Sequence, residues 1–305
     1  MTTHAFERQT ENLSRHAAPL RTIEAIYSPP PPHWVGDGFR VAGYFNAIPD
    51  ALRRMSPFVL FDYHAPYAYE PTTSRRGVGS HPHRGFETVS LAWEGSVAHR
   101  DSSGAEGSIG PGDVQWMTAG AGVVHEEFHG EEFARTGGTF HMAQLWVNLP
   151  KAHKMATPRY QALTAGEMGV AKLENDAGEV RVIAGEYQGA KGPAKTFTKI
   201  NVFDVRLRPG GKANFSFPAN ENLGLLVMKG AIAVNGQTAK TNAFVLFDNV
   251  GEEVVLEAEG DAHVLILSGE PIDEPIVQYG PFVMNTRQEI IEAINDFNAG
   301  KFGRI

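Results

Sequence analysis

The chain of 305 residues contains no cysteine. That absence excludes disulfides, thiolate-ligated zinc, iron–sulfur clusters and thiol nucleophiles together, and it fits a reducing compartment. Basic residues are also in short supply. Against 35 Asp and Glu stand 27 Lys and Arg, a net charge of −8, which gives no electrostatic footprint for nucleic acid or an anionic membrane. No apolar run approaches the roughly 18 residues that a membrane helix needs. Residues Met1 to Arg8 lack the apolar stretch of a secretory leader, so a cytoplasmic location is expected. Long helical periodicities are few, whereas Gly (33) and Pro (19) abound. Short strands joined by many turns follow from that.

Taken in order, residues 1–20 are polar and aperiodic and are expected to fray. Pro29 to Pro32 reads as a stiff connector into the first strand rather than a polyproline ligand. Val35 to Tyr44 has the glycines of a turn-rich strand pair, Pro57 to Phe61 reads as a short buried strand, and Tyr67 to Arg76 as a loop. From His83 onward the pattern is β, with Val89, Leu91 and Trp93 alternating with Thr88, Ser90 and Ala92. Pro150 to Leu163, polar and proline-punctuated, reads as a linker between an N-terminal unit, 1–150, and a C-terminal unit, 151–305.

The second unit repeats the first. Leu225 to Ile232 follows the pattern of Ser90 to Val97, with Gly230 at the place of Gly95. Asn235-Gly236 between apolar runs marks a type I′ hairpin. The same order of strands and turns twice predicts an all-β chain of two tandem barrels. At the end, Thr286-Arg-Gln-Glu289 is a capping box. It opens a short amphipathic helix through Ile290, Ile291, Ile294 and Phe297, closed at Gly300.

Within the first unit His81 and His83 are spaced i, i+2, and so are His125 and Glu127. On strands that spacing puts both members of a pair on one face. Three imidazoles and a carboxylate then converge inside one barrel, as a metal site with room for water or substrate. Pro82 would break a central ladder, which suits a barrel mouth. His64, His99, His129, His141 and His153 stand singly and read as satisfied core or surface residues. A nitrogen- and oxygen-rich set without thiolate matches non-haem Fe(II), Mn, Ni or Cu better than structural zinc. Fe(II), one per chain, is the first expectation, with Mn, Ni, Cu or Zn as substitutes. A constant offset of 135 puts Ser216 and Pro218 at the places of His81 and His83 and Asn222 at that of Glu87, with His263 near that of His125. The second barrel is therefore expected to lack metal.

Several long motifs carry a resemblance: His81-Pro-His83-Arg-Gly-Phe-Glu-Thr88, Pro111-Gly-Asp-Val-Gln-Trp-Met-Thr-Ala-Gly120, His125 with Glu127, Gln144-Leu-Trp-Val-Asn-Leu149 and Gly280-Pro-Phe-Val-Met-Asn285. From about Gly36 to the C-terminal helix the chain resembles the pirin family of the cupin superfamily. The resemblance implies two tandem cupin barrels (double-stranded β-helix, or jelly roll). It also implies Fe(II) on His81, His83, His125 and Glu127 in the first barrel, with Glu87 left in a supporting role. Ala121 departs from it, since the family commonly has arginine there.

Pirin-like proteins are associated with two roles. One is quercetin 2,3-dioxygenase chemistry, in which a flavonol-like substrate meets O₂ at the metal, Glu127 takes the 3-hydroxyl proton, and a depside and carbon monoxide leave. Phe58, Phe86, Trp116 and Met117 are candidates to line its pocket. The other is a redox-sensing regulator that docks on a protein partner. A metal-containing isomerase or storage barrel is a third class, and an isomerase would need a second acid or base opposite the metal.

Overall fold

The computed structural model describes residues 18–305. Of the segment expected to fray, residues 1–17 lie outside the described residues. At Pro19 the chain is already held, its carbonyl accepting from the Glu252 and Glu253 amides.

The first half contains β1 (Ile23–Tyr27), β2 (His33–Val35), β3 (Phe39–Gly43), β4 (Phe58–Tyr69), β5 (Gly77–His83) and β6 (Phe86–Glu94). Then come β7 (Val97–Asp101), β8 (Glu106–Ile109), β9 (Val114–Thr118), β10 (Val123–His129), β11 (Gly138–Asn148) and β12 (Arg159–Leu163). A seven-stranded sheet, β12-β9-β6-β11-β4-β3-β2, and a four-stranded one, β5-β10-β7-β8, make the first barrel.

The second half supplies β13 (Gly169–Lys172), β14 (Gly178–Ala184), β15 (Glu186–Tyr187), β16 (Ala190–Lys191), β17 (Ile200–Leu207) and β18 (Lys212–Ser216). After these come β19 (Asn222–Lys229), β20 (Ile232–Val234), β21 (Gln237–Ala239), β22 (Phe244–Phe247), β23 (Glu253–Ala258) and β24 (Ala262–Gly269). Its sheets, β1-β22-β19-β24-β17-β14-β13 and β18-β23-β20-β21, repeat the first pattern. The chain is thus all-β, two tandem jelly-roll barrels closed by one helix, as expected. Asn235 and Gly236 have φ of 47° and 80°, the two positive values that the β20–β21 hairpin requires.

Three expectations change. Residues 159–163 are not linker: β12 pairs with β9 from Arg159↔Thr118 to Leu163↔Val114. They read as linker because an edge strand keeps one face in water. β1 makes the reverse crossing and pairs with β22, so each barrel borrows an edge strand from across position 150. Finally, β4 runs on through Tyr69 rather than stopping at Phe61. Its ladder with β11 slips between Met142↔His64 and Phe140↔Tyr67, and that irregularity accommodates Pro66.

The two large sheets pack on each other. Val89, Leu91 and Trp93 join Leu226, Met228, Phe244 and Leu265 in one core between the barrels. The alternate residues of β6, Thr88, Ser90 and Ala92, turn into the first barrel. Both faces of the strand are therefore buried, and its alternation separates two interiors rather than core from solvent. In the second barrel, Phe203, Phe215, Phe217, Leu225, Leu256 and Ile266 fill the interior.

The chain ends on β25 (Val277–Tyr279), β26 (Phe282–Met284) and α1 (Arg287–Asn298), whose capping box is formed as expected. α1 returns to the first barrel: Ile290, Ala293 and Phe302 pack with Val124, and Arg84 Nη1 donates to Asp296 Oδ2 at 2.9 Å. Ile291 and Phe297 turn outward, 51% and 37% exposed, so the buried stripe is narrower than their spacing implied.

Candidate metal centre

β5 and β10 lie side by side with His81 opposite His125 and His83 opposite Val123. The imidazole centroids are 4.3 Å apart for His81 and His125. They are 4.8 Å apart for His81–His83 and for His83–His125. One ring nitrogen of each falls within 4.8 Å of the others. β5 is an edge strand, so Pro82 leaves no central ladder bond unmade.

Glu127 joins through a second triad. Its carboxylate lies within 4.8 Å of nitrogens on His125 and His99. The expected residues therefore fall into two triads that share His125, with His81 and His83 in one and Glu127, beside His99, in the other. His99, read as a lone histidine, belongs to the second. It sits directly opposite Glu127 on β7, a relation that only strand register reveals.

The hydrogen bonds fix the tautomers. His81 Nδ1 is 2.8 Å from the Gly79 carbonyl and His83 Nδ1 is 3.3 Å from that of Pro281, so both Nδ1 atoms carry the proton. His99 Nδ1 accepts from Gln115 Nε2 at 3.2 Å, and its Nε2 donates to Asp101 Oδ2 at 3.1 Å. In the 3.4 Å contact between His125 Nδ1 and His99 Nδ1 only His125 can then donate, sharing the single His99 lone pair with Gln115 Nε2. Each of the three ligand candidates is left with a bare Nε2. That of His125 is buried with no partner among the described residues, a condition costing about 1–3 kcal/mol if nothing meets it. Burial, and then the neighbouring imidazoles, holds His83 and His125 well below the usual histidine pKa. They are neutral, as a metal ligand must be.

Glu127 is held by three donors. Oε1 accepts from Ser90 Oγ and Gln115 Nε2, both at 3.2 Å, and Oε2 accepts from Gln144 Nε2 at 2.9 Å. These donors form a row across the inner face of the large sheet: Gln115 is opposite Ser90, Ser90 opposite Gln144, and Gln144 opposite Asp62. In the second barrel the same register reads Val245, Leu225, Ile266 and Phe203. The polar row is thus not demanded by the fold. This register also corrects the alignment of His263, which precedes Ile266 by as many residues as His141 precedes Gln144. His263 is the counterpart of His141 rather than of His125, because the second repeat has the shorter loops.

His81, His83 and Glu127 open into a cavity of about 340 Å³. Its walls are apolar, from Val35, Phe39, Val41, Leu60, Met142 and Trp146. The expected lining residues are absent from it. Phe58 and Trp116 belong to the core between the barrels, and Met117 packs with Ala119 and Val123. Phe86 lies behind the site, 5.0 Å from the His83 ring and 4.3 Å from Trp146. Nothing in the β alternation alone says which buried face meets a cavity. Glu87 is buried and accepts from Thr118 Oγ1 at 2.6 Å, away from the cavity, and burial raises its pKa. The Ala121 carbonyl takes Arg84 Nε at 2.7 Å, and Ala121 does not line the chamber. Asp62 does line it, and burial lifts its pKa to about 6 against the opposing charge of His33.

Residues 38–147 match the family described as Pirin, and residues 202–303 the Pirin C-terminal cupin domain. A Pseudomonas aeruginosa protein named "Putative quercetin 2,3-dioxygenase" is 47% identical, over 93% of this chain and 99% of that one. The crystal structure of a quercetin 2,3-dioxygenase from Acinetobacter baumannii superposes with a TM-score of 0.89 at 49% identity, covering 94% of this chain and all of that one. The bacterial pirin YhhW of Escherichia coli, solved with nickel(II), shares the fold at a TM-score of 0.60 and 22% identity, over 81% of this chain and 100% of that one. The chain belongs to the pirin family of the cupin superfamily.

Proposed function

We propose that the protein is a metal-dependent oxygenase of the quercetin 2,3-dioxygenase type, with one Fe(II) held by His81, His83, His125 and Glu127. The observation that carries this reading is the convergence of three imidazoles, each with Nδ1 committed to an acceptor and Nε2 left bare. Such outer acceptors orient and strengthen metal-ligating histidines. A donor set of imidazole and carboxylate suits Fe(II), and it also takes Mn, Ni, Cu or Zn. When bound, the metal supplies a Lewis-acidic, redox-active centre for the reaction of a flavonol-like substrate with O₂.

The protein's own part is orientation and proton handling. Oε1 of Glu127 already accepts two hydrogen bonds and Oε2 only one. Oε2 keeps the one spare acceptor position, so it is the atom that would either face the metal or take the proton of an incoming 3-hydroxyl, not both at once. Gln144 holds it there at 2.9 Å. The chamber sets apolar walls beside the ligands and offers flat surface at Trp146, 5.2 Å from the His83 ring. A redox-sensing regulator that acts on a protein partner would need no such chamber, and so the chamber favours the enzyme.

The test is O₂ uptake with quercetin by anaerobically Fe(II)-loaded protein, beside His83→Ala, with carbon monoxide assayed. Turnover that releases carbon monoxide and disappears in the variant supports the reading. Stoichiometric iron without oxygen uptake or product refutes it.

A further inference from the structure

The polar row across the large sheet has four members, and three of them are accounted for by Glu127. The fourth, Asp62, lies one strand beyond Gln144, a spacing of about 4.8 Å, and faces the same chamber. Its carboxyl is half-buried and has no hydrogen bond among the described residues, burial and the charge of His33 being the influences on it. The neighbouring strand brings Gly43 opposite it, and the Asn46 side chain lies over that glycine beside Asp62 Oδ1 without a hydrogen bond to it. The second barrel carries Phe203 at the equivalent place, packed in an apolar interior. A carboxyl here is therefore dispensable to the fold, and it leaves an acceptor without a hydrogen bond among the described residues at the edge of a largely apolar wall.

We propose that Asp62 is the second recognition group of the chamber: its carboxylate accepts a hydrogen bond from a ring hydroxyl of a planar polyphenol whose metal-directed hydroxyl faces His81, His83 and Glu127. The substrate class rests on the oxygenase reading; the unpaired acceptor does not. A pocket that is apolar except for a few placed polar groups uses those groups to set orientation. Glu127, on β10 of the small sheet, and Asp62, at the end of the row on the large one, would read two hydroxyls of one molecule. A flavonol without ring hydroxyls fits the chamber but leaves Asp62 unpaired.

The experiment is anaerobic calorimetric titration of metal-loaded protein with quercetin and with 3-hydroxyflavone, which keeps the 3-hydroxyl and lacks the others. Wild type is expected to prefer quercetin by roughly 10–100-fold, as for a hydrogen bond to a charged group. Asp62→Leu should erase that preference by weakening quercetin alone, and Asp62→Asn, a neutral acceptor, should fall between, both with unchanged metal content. Equal affinity of wild type for the two flavonols, failure to bind quercetin, or a preference that survives in Asp62→Leu overturns the proposal. O₂ uptake is measured separately: discrimination without uptake refutes the oxygenase reading and leaves the role of Asp62 standing.

Discussion

His99 and His125 face each other Nδ1 to Nδ1 across 3.4 Å, a contact in which only one of the two nitrogens can carry a proton. Asp101 and Gln115 settle which, because they hold His99 with its proton on Nε2. The consequence is a chain from Asp101 through His99 to His125 that leaves His125 Nε2 free. Tyr160 stacks on the far face of His99 at 5.0 Å, so β12 helps to hold the ring.

His99→Ala removes that acceptor without touching a proposed ligand. Loss of such an outer partner typically costs about 10–100-fold in metal affinity. Competition titration with nickel(II) is expected to give a weakening in that range with unit stoichiometry retained. Unchanged affinity would mean that His99 is only packing.

The chamber can be filled while the ligands are spared. Leu60 lines it from β4, on the strand opposite Trp146. Leu60→Trp is expected to raise KM for quercetin at least about tenfold, the effect of roughly 1.4 kcal/mol, with metal content unchanged. Equal KM in the variant would place the substrate elsewhere.

The barrels are joined by a buried carboxylate. Asp204 of β17 accepts from Trp93 Nε1 at 3.0 Å, His263 Nε2 at 2.5 Å and Arg181 Nη1 at 3.1 Å. Burial pushes its pKa up, but His263, Trp93 and Arg181 outweigh that and bring it down to about 2. The folded value thus lies below the unfolded one of about 3.9, so the contribution is present above pH 4 and is lost as pH falls toward 2. It is on the order of 2–3 kcal/mol at neutral pH. Urea midpoints should fall between pH 5 and pH 3. Asp204→Asn should lose that part of the pH dependence and be destabilised by roughly 3–5 kcal/mol at pH 7, because the Arg181 guanidinium is left without its carboxylate. A midpoint like that of wild type at pH 7 would contradict this.

The ligand candidates were legible in the sequence because i, i+2 spacing is a local property of a strand. His81 with His83, and His125 with Glu127, needed no knowledge of what lies opposite. His99, Gln115, Gln144 and Asp62 each stand alone on separate strands, and register alone brings them together. The pocket lining failed for a related reason. Phe58 and Trp116 are as buried as expected, but on the face that meets the other barrel. The tandem repeat was visible in Gly95 and Gly230. The exchange of β1 and β12 was not, because a half-exposed edge strand has the composition of a linker.

The most direct test of the whole account is X-ray absorption at the metal edge of protein loaded anaerobically with one equivalent of Fe(II). The account predicts one retained iron per chain, with the multiple-scattering pattern of three imidazoles and an oxygen donor, and loss of iron from His83→Ala. Iron retained in full by His83→Ala, or bound without imidazole scattering, would contradict it.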